Sequence, residues 1–90
     1  MLYLVIEKYK THDELEIYRR AKNQGRMIPD GLEYISSSVD LKFTACFQLM
    51  KTEDERLFDQ WIAQWRDLVE FEIVPIQTSA EAMQRIAPSL

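Results

Sequence analysis

The chain has 90 residues, 47% hydrophobic and 29% charged, with two glycines, three prolines, one cysteine and a formal net charge of -4. That length supports one hydrophobic core, and this much apolar mass with so few chain breakers excludes a disordered chain in favour of a single packed domain over residues 1–90. A pI of about 4.9 sets the overall field against phosphate backbones and anionic lipid, so nucleic acid and membranes are not expected as partners.

Leu2 to Tyr9 is rich in Tyr, Val, Ile and Leu on both alternating faces and predicts a strand covered on both sides. Its apolar run stops at Glu7, too short for a membrane span and without the basic leader of a signal peptide. With one cysteine, Cys46, which has no internal disulfide partner, a cytoplasmic protein is expected. Thr11 to Gln24 carries Asp13 and Glu14 early and Arg19, Arg20 and Lys22 late, the charge order a helix dipole favours, with Gly25 as a left-handed cap. The basic residues there, with Arg26, read as a solvated helix face and its end. Pro29-Asp30-Gly31 predicts a turn.

Leu32 to Val39 and Phe43 to Lys51 are extended runs joined by a polar connection at Asp40 to Lys42, which predicts a β-hairpin. Thr52 with Glu55 reads as a capping box for a second helix, on which Leu57, Phe58, Trp61, Ile62, Trp65 and Leu68 form an aromatic stripe. Val69 to Ile76 predicts a fourth strand, with Pro75 marking an edge or end. Thr78 with Glu81 then caps a last helix running to Ala87.

This order predicts an α+β, ferredoxin-like βαββαβ fold, a four-stranded antiparallel sheet with helices on one face and an extra C-terminal helix. Regular alternation assigns Leu2, Leu4, Ile6, Leu32, Tyr34, Phe43, Ala45, Phe47, Leu49, Val69, Phe71 and Ile73 to the helix-covered face. The open face then collects Tyr3, Val5, Ile35, Val39, Cys46, Met50, Val74 and Ile76, with Thr44, Gln48 and Glu72 among them. So apolar an open face needs a cover, and a second copy of the same sheet supplies one, giving a homodimer.

No Gly-rich phosphate loop, nucleophile elbow or C-x-x-C pair is present. His12 has no partner at ligand spacing, and neither a metal nor an organic cofactor is expected. Cys46, mid-strand and without a paired histidine, reads as a structural thiol. Gln48, Thr44 and Glu72 are mid-strand polar groups on a covered face, so they must meet either a dimer partner or a ligand. Trp61, Trp65 and Tyr18 are candidate walls of a pocket between helices and sheet, and Arg26 a candidate anion-holding group at its mouth. The candidate ligand-binding residues are therefore Arg26, Gln48, Trp61, Trp65 and Glu72; no catalytic residue is assigned.

At Gly25-Arg26, the Pro29 to Leu32 turn, Cys46 to Met50, Trp61 through Trp65, Asp67-Leu68, Phe71-Glu72 and Pro75, the chain resembles a family of small bacterial domains of unknown function. The resemblance covers nearly the whole chain and implies a ferredoxin-like, dimeric α/β-barrel protein with no established activity. The family pattern places a Trp after the serine of the second strand, where this chain has Ser38 after Ser37, so a pocket lined by that Trp in relatives is altered here. At the level of fold the chain looks like a superfamily of small monooxygenases, cyclases, isomerases and haem-degrading enzymes, but fold does not carry chemistry across. With His12 as its only histidine, haem is disfavoured. Three functions stay open: a ligand-binding or regulatory dimer, a cofactor-free enzyme acting on a small apolar or aromatic molecule, and a structural interaction module. A cavity of about 300 Å3 with converging polar groups favours the first two, and a solid core the third.

Overall fold

The computed structural model describes residues 1–10 and 14–90. In chain order it contains β1 (Leu2–Tyr9), α1 (Glu14–Gln24), β2 (Glu33–Val39), β3 (Ala45–Lys51), α2 (Leu57–Ala63), β4 (Val69–Ile76) and α3 (Ser79–Ile86), followed by a 3-10 turn at Ala87–Ser89. The strands form one antiparallel sheet in the order β2-β3-β1-β4, the ferredoxin-like arrangement. Thr11, His12 and Asp13, where the first helix is expected to begin, lie outside the described residues. Among the described residues no helix is long and apolar enough to cross a membrane.

α1 closes at Gly25, whose φ of 72° is left-handed and whose amide donates to the Ala21 carbonyl, as a glycine cap does. α2 starts later than the Thr52–Glu55 spacing predicts. Thr52 is buried, and its hydroxyl donates to the Gly31 carbonyl while accepting from the Asp54 amide, so it is spent on the β3–α2 turn and no side chain caps the helix at Arg56. The regular helix also ends at Ala63, and Trp65 to Leu68 continue as hydrogen-bonded turns. The Thr78–Glu81 capping box is present in full.

The core is Tyr3, Val5, Ile17, Leu32, Met50, Phe58, Trp61, Trp65 and Val69, which places α1 and α2 over one face of the sheet. Tyr3 meets Phe58 edge-on at 5.0 Å and Trp61 meets Phe71 at 5.1 Å between ring centroids.

The alternation in β1 and β3 is opposite to expectation. The register pairs Tyr3 with Met50 and Pro75, Val5 with Gln48 and Ile73, and Glu7 with Cys46 and Phe71, so these residues share the helix-covered face. Leu2, Leu4, Ile6, Phe47 and Leu49 face the other way, with Val74, Ile76 and Glu72. Both faces of β1 and β3 are apolar, so alternation identifies two faces without saying which one receives the helices. In β2 the register shifts between Tyr34 and Ser36, a bulge that brings Tyr34, Ser37 and Val39 onto the covered side and leaves Ile35 44% exposed. Phe43 and Thr44 are not in β3 at all. They belong to the hairpin loop, where Asp40 accepts from the Thr44 and Ala45 amides and the Thr44 hydroxyl.

Candidate functional site

Between the sheet and α1 and α2 lies a half-open cavity of about 100 Å3. Its floor is the covered face of the sheet, with Glu7 and Tyr9 from β1, Ser37 and Val39 from β2, and Cys46 and Gln48 from β3. Ile17, Tyr18 and Ala21 of α1 form one wall, Trp61 and Trp65 the other, and Arg26 lies at the exposed rim.

Arg26, Gln48, Trp61 and Trp65 are thus brought together, with Tyr18 beside them. Glu72 is not. It is exposed and pairs with Ile6 on the opposite face, because β4 sends Val69, Phe71 and Ile73 toward the helices. Gln48 reaches the cavity only because β3 has the reversed alternation. It is 2% exposed, and its amide nitrogen donates to the Met50 sulfur at 3.2 Å. A thioether is a weak acceptor, so this amide is poorly matched by protein for a group so far from water.

The aromatic wall is rigid. Both indole nitrogens donate to the backbone carbonyl of Arg26, Trp61 at 3.1 Å and Trp65 at 2.9 Å, so the tryptophans offer ring faces and edges to the cavity and no free donor. Trp65 is held from behind by the Arg20 guanidinium, 5.5 Å from its ring centroid, and Arg20 in turn makes a two-pronged pair with Asp67 at 2.8 and 2.7 Å. That pair holds the Asp67 carboxyl down at about 2. The Arg26 side chain packs over Tyr34, 4.2 Å from its centroid, donating to the phenol oxygen, which also hydrogen-bonds Ser37.

The cavity also contains groups that sequence reading passed over. Burial pushes the Glu7 carboxyl above its ordinary value, against the opposing pull of a hydrogen bond with Cys46 and the charge of Arg26. Burial and the Glu7 charge push the Cys46 thiol up to about 12. Burial, with a hydrogen bond to Tyr18, raises Tyr9 far above the ordinary phenol range. The thiol and the Tyr9 phenol therefore stay protonated at neutral pH, and the cavity has one acidic pole, Glu7, and one basic pole, Arg26. Glu7 left a signal in the sequence: it is a carboxylate that shares one face of a predicted strand with Tyr3, Val5 and Tyr9.

The cavity falls short of the roughly 300 Å3 of a drug-sized site, yet the domain is no solid core. An engineered apolar cavity of about 150 Å3 accepts a benzene ring, so a space of this size with an open mouth suits a ligand of about one ring.

No curated protein and no solved structure matches the chain. Over residues 1–90, its whole length, the sequence matches the domain of unknown function DUF3303, and the chain belongs to that family.

Proposed function

We propose that the protein is a small-molecule-binding or regulatory homodimer of the dimeric α/β-barrel type, holding its ligand in the cavity above the sheet and pairing through the opposite sheet face. The observation that carries the reading is Gln48, a buried amide whose nitrogen has, among the described residues, only a thioether for a hydrogen-bond partner, set among Glu7, Arg26 and four aromatic rings. Cores without a ligand role seldom leave a side-chain amide so poorly matched. Pairing is supported by the apolar open face of Leu2, Leu4, Ile6, Phe47, Leu49, Val74 and Ile76, on which Phe47 is 42% exposed. The buried free thiol of Cys46 fits a reducing, cytoplasmic setting.

A screen of small aromatic molecules by tryptophan fluorescence tests the site. A bound ring changes the emission of Trp61 and Trp65, and Trp65→Phe alters that response while Glu53→Ala, in the β3–α2 turn, leaves it intact. A ligand whose binding survives substitution of both tryptophans and Arg26 would put the site elsewhere.

A further inference from the structure

We propose that the cavity takes a small neutral hydroxylated ring, a phenol or an enolic ring of similar size, and that Glu7 is the group that accepts its hydroxyl proton in a hydrogen bond. This rests on the cavity reading above and adds the chemical class of the ligand.

The walls select a ring. Tyr9, Tyr18, Trp61 and Trp65 present aromatic surface, and Ile17 and Val39 complete an apolar enclosure. The indole donors are already committed to the Arg26 carbonyl and the Tyr9 phenol hydrogen-bonds Tyr18, so the tryptophan wall supplies contact without hydrogen bonding. Acceptor capacity is left on the floor: the Glu7 carboxylate, which hydrogen-bonds Cys46 but which no ion pair engages among the described residues, and the oxygen of the Gln48 amide, whose nitrogen is turned to Met50. A floor of acceptors asks for a donor on the ligand.

Charge then narrows the class. A ring bearing an ammonium group would satisfy Glu7 but meet the Arg26 cation, which is close enough to act on Glu7. A ring bearing a carboxylate would satisfy Arg26 and meet the anion of Glu7 in a poorly solvated space. Arg26 is also already occupied, packed on Tyr34 and hydrogen-bonded to its phenol oxygen. A neutral hydroxyl avoids both penalties, and a hydrogen bond to an ionised acceptor is among the stronger ones available.

The chemistry has a pH signature. The groups facing Glu7 are Cys46 from β3, Arg26 from the α1–β2 loop, Tyr18 from α1 and Tyr9 from its own strand. The Cys46 thiol and the Tyr9 phenol are pushed up and stay protonated at neutral pH, so Glu7 is the one of these three that gains a proton on acidification. Because burial raises its carboxyl above the ordinary glutamate value, the strong acceptor is lost as pH falls through that raised value, at a higher pH than for a glutamate in water.

Titration with phenol and with anisole, which has the same ring but no hydroxyl donor, tests the proposal through tryptophan emission. Wild-type protein should bind phenol about tenfold more tightly than anisole at neutral pH, the size expected of one hydrogen bond to a charged acceptor. That preference should collapse on acidification. Glu7→Leu should abolish both the preference and its pH dependence while keeping anisole binding, which shows that the cavity is intact. Equal binding of the two probes, or a preference that survives Glu7→Leu, overturns the hydroxyl assignment and leaves the cavity reading standing. Failure of both rings to bind wild-type protein overturns both.

Discussion

Asp40 shows how a single residue holds a hairpin loop. Its carbonyl accepts from the Phe43 amide in a turn that leaves Phe43 at a φ of 57°. Its carboxylate takes two further backbone amides and one hydroxyl, and these bonds hold it down at about 2, below the ordinary aspartate value. A carboxyl lowered by folding contributes stability above its unfolded value and loses that contribution as pH falls. Asp40→Ala should therefore lower the urea midpoint at neutral pH. The gap from wild type should narrow between about pH 4 and pH 2, which parallel urea titrations would reveal. Cys46 offers a second check at this scale. Buried and pushed up to about 12, its thiol should resist a water-soluble disulfide reagent in the folded protein and react at once in denaturant.

Among the elements, α3 stands apart. It has a complete capping box, yet none of its residues is buried, and Met83 and Ile86 are 59% and 56% exposed. Its local chemistry makes a helix with none of its residues buried against the other described residues, whereas α2 has an aromatic core face and no side-chain cap. Helix stability is thus locally encoded in α3 and supplied by packing in α2. Thr78→Ala should reduce amide protection in α3 about fivefold, the usual cost of a lost cap, and leave the urea midpoint of the sheet unchanged. Hydrogen exchange followed residue by residue separates the two. A matched loss across the sheet would mean that α3 is coupled to the core.

For the whole molecule, the Cα radius of gyration is 15.1 Å, against about 12 Å for a compact chain of this length. The excess accords with a sheet that has helices on one face and a terminal helix outside the core, a shape suited to the proposed pairing. The structure also decides which substitution tests that pairing. Val5 is fully buried under the helices, so Val5→Asp should unfold the chain, since it sets an unpaired charge in the core. Leu4 lies on the open face, and Leu4→Asp should leave circular dichroism intact while dissociating the dimer. Sedimentation equilibrium should give twice 10.7 kDa for wild type and the single-chain mass for Leu4→Asp. A monomeric wild type would refute the pairing.

The sequence by itself determined the element order, the bounds of β1 and β4, the hairpin and the capping of α3. These rest on apolar runs, turn residues and short-range side-chain bonds that need no distant partner. It also marked Arg26, Gln48, Trp61 and Trp65, because an amide within an apolar strand and indoles at helical spacing are unusual on local grounds. Tertiary structure alone decided which face of β1 and β3 the helices cover, since both faces are apolar and only packing against Phe58, Trp61 and Ile17 distinguishes them. That choice carried Gln48 and Glu7 into the cavity, while Glu72 lies on the open face to which the alternation of β4 assigns it. The β2 bulge, which turns Ser37 and Val39 inward, and the diversion of Thr52 from a helix cap to the Gly31 carbonyl were decided the same way, by hydrogen bonds between segments far apart in the chain.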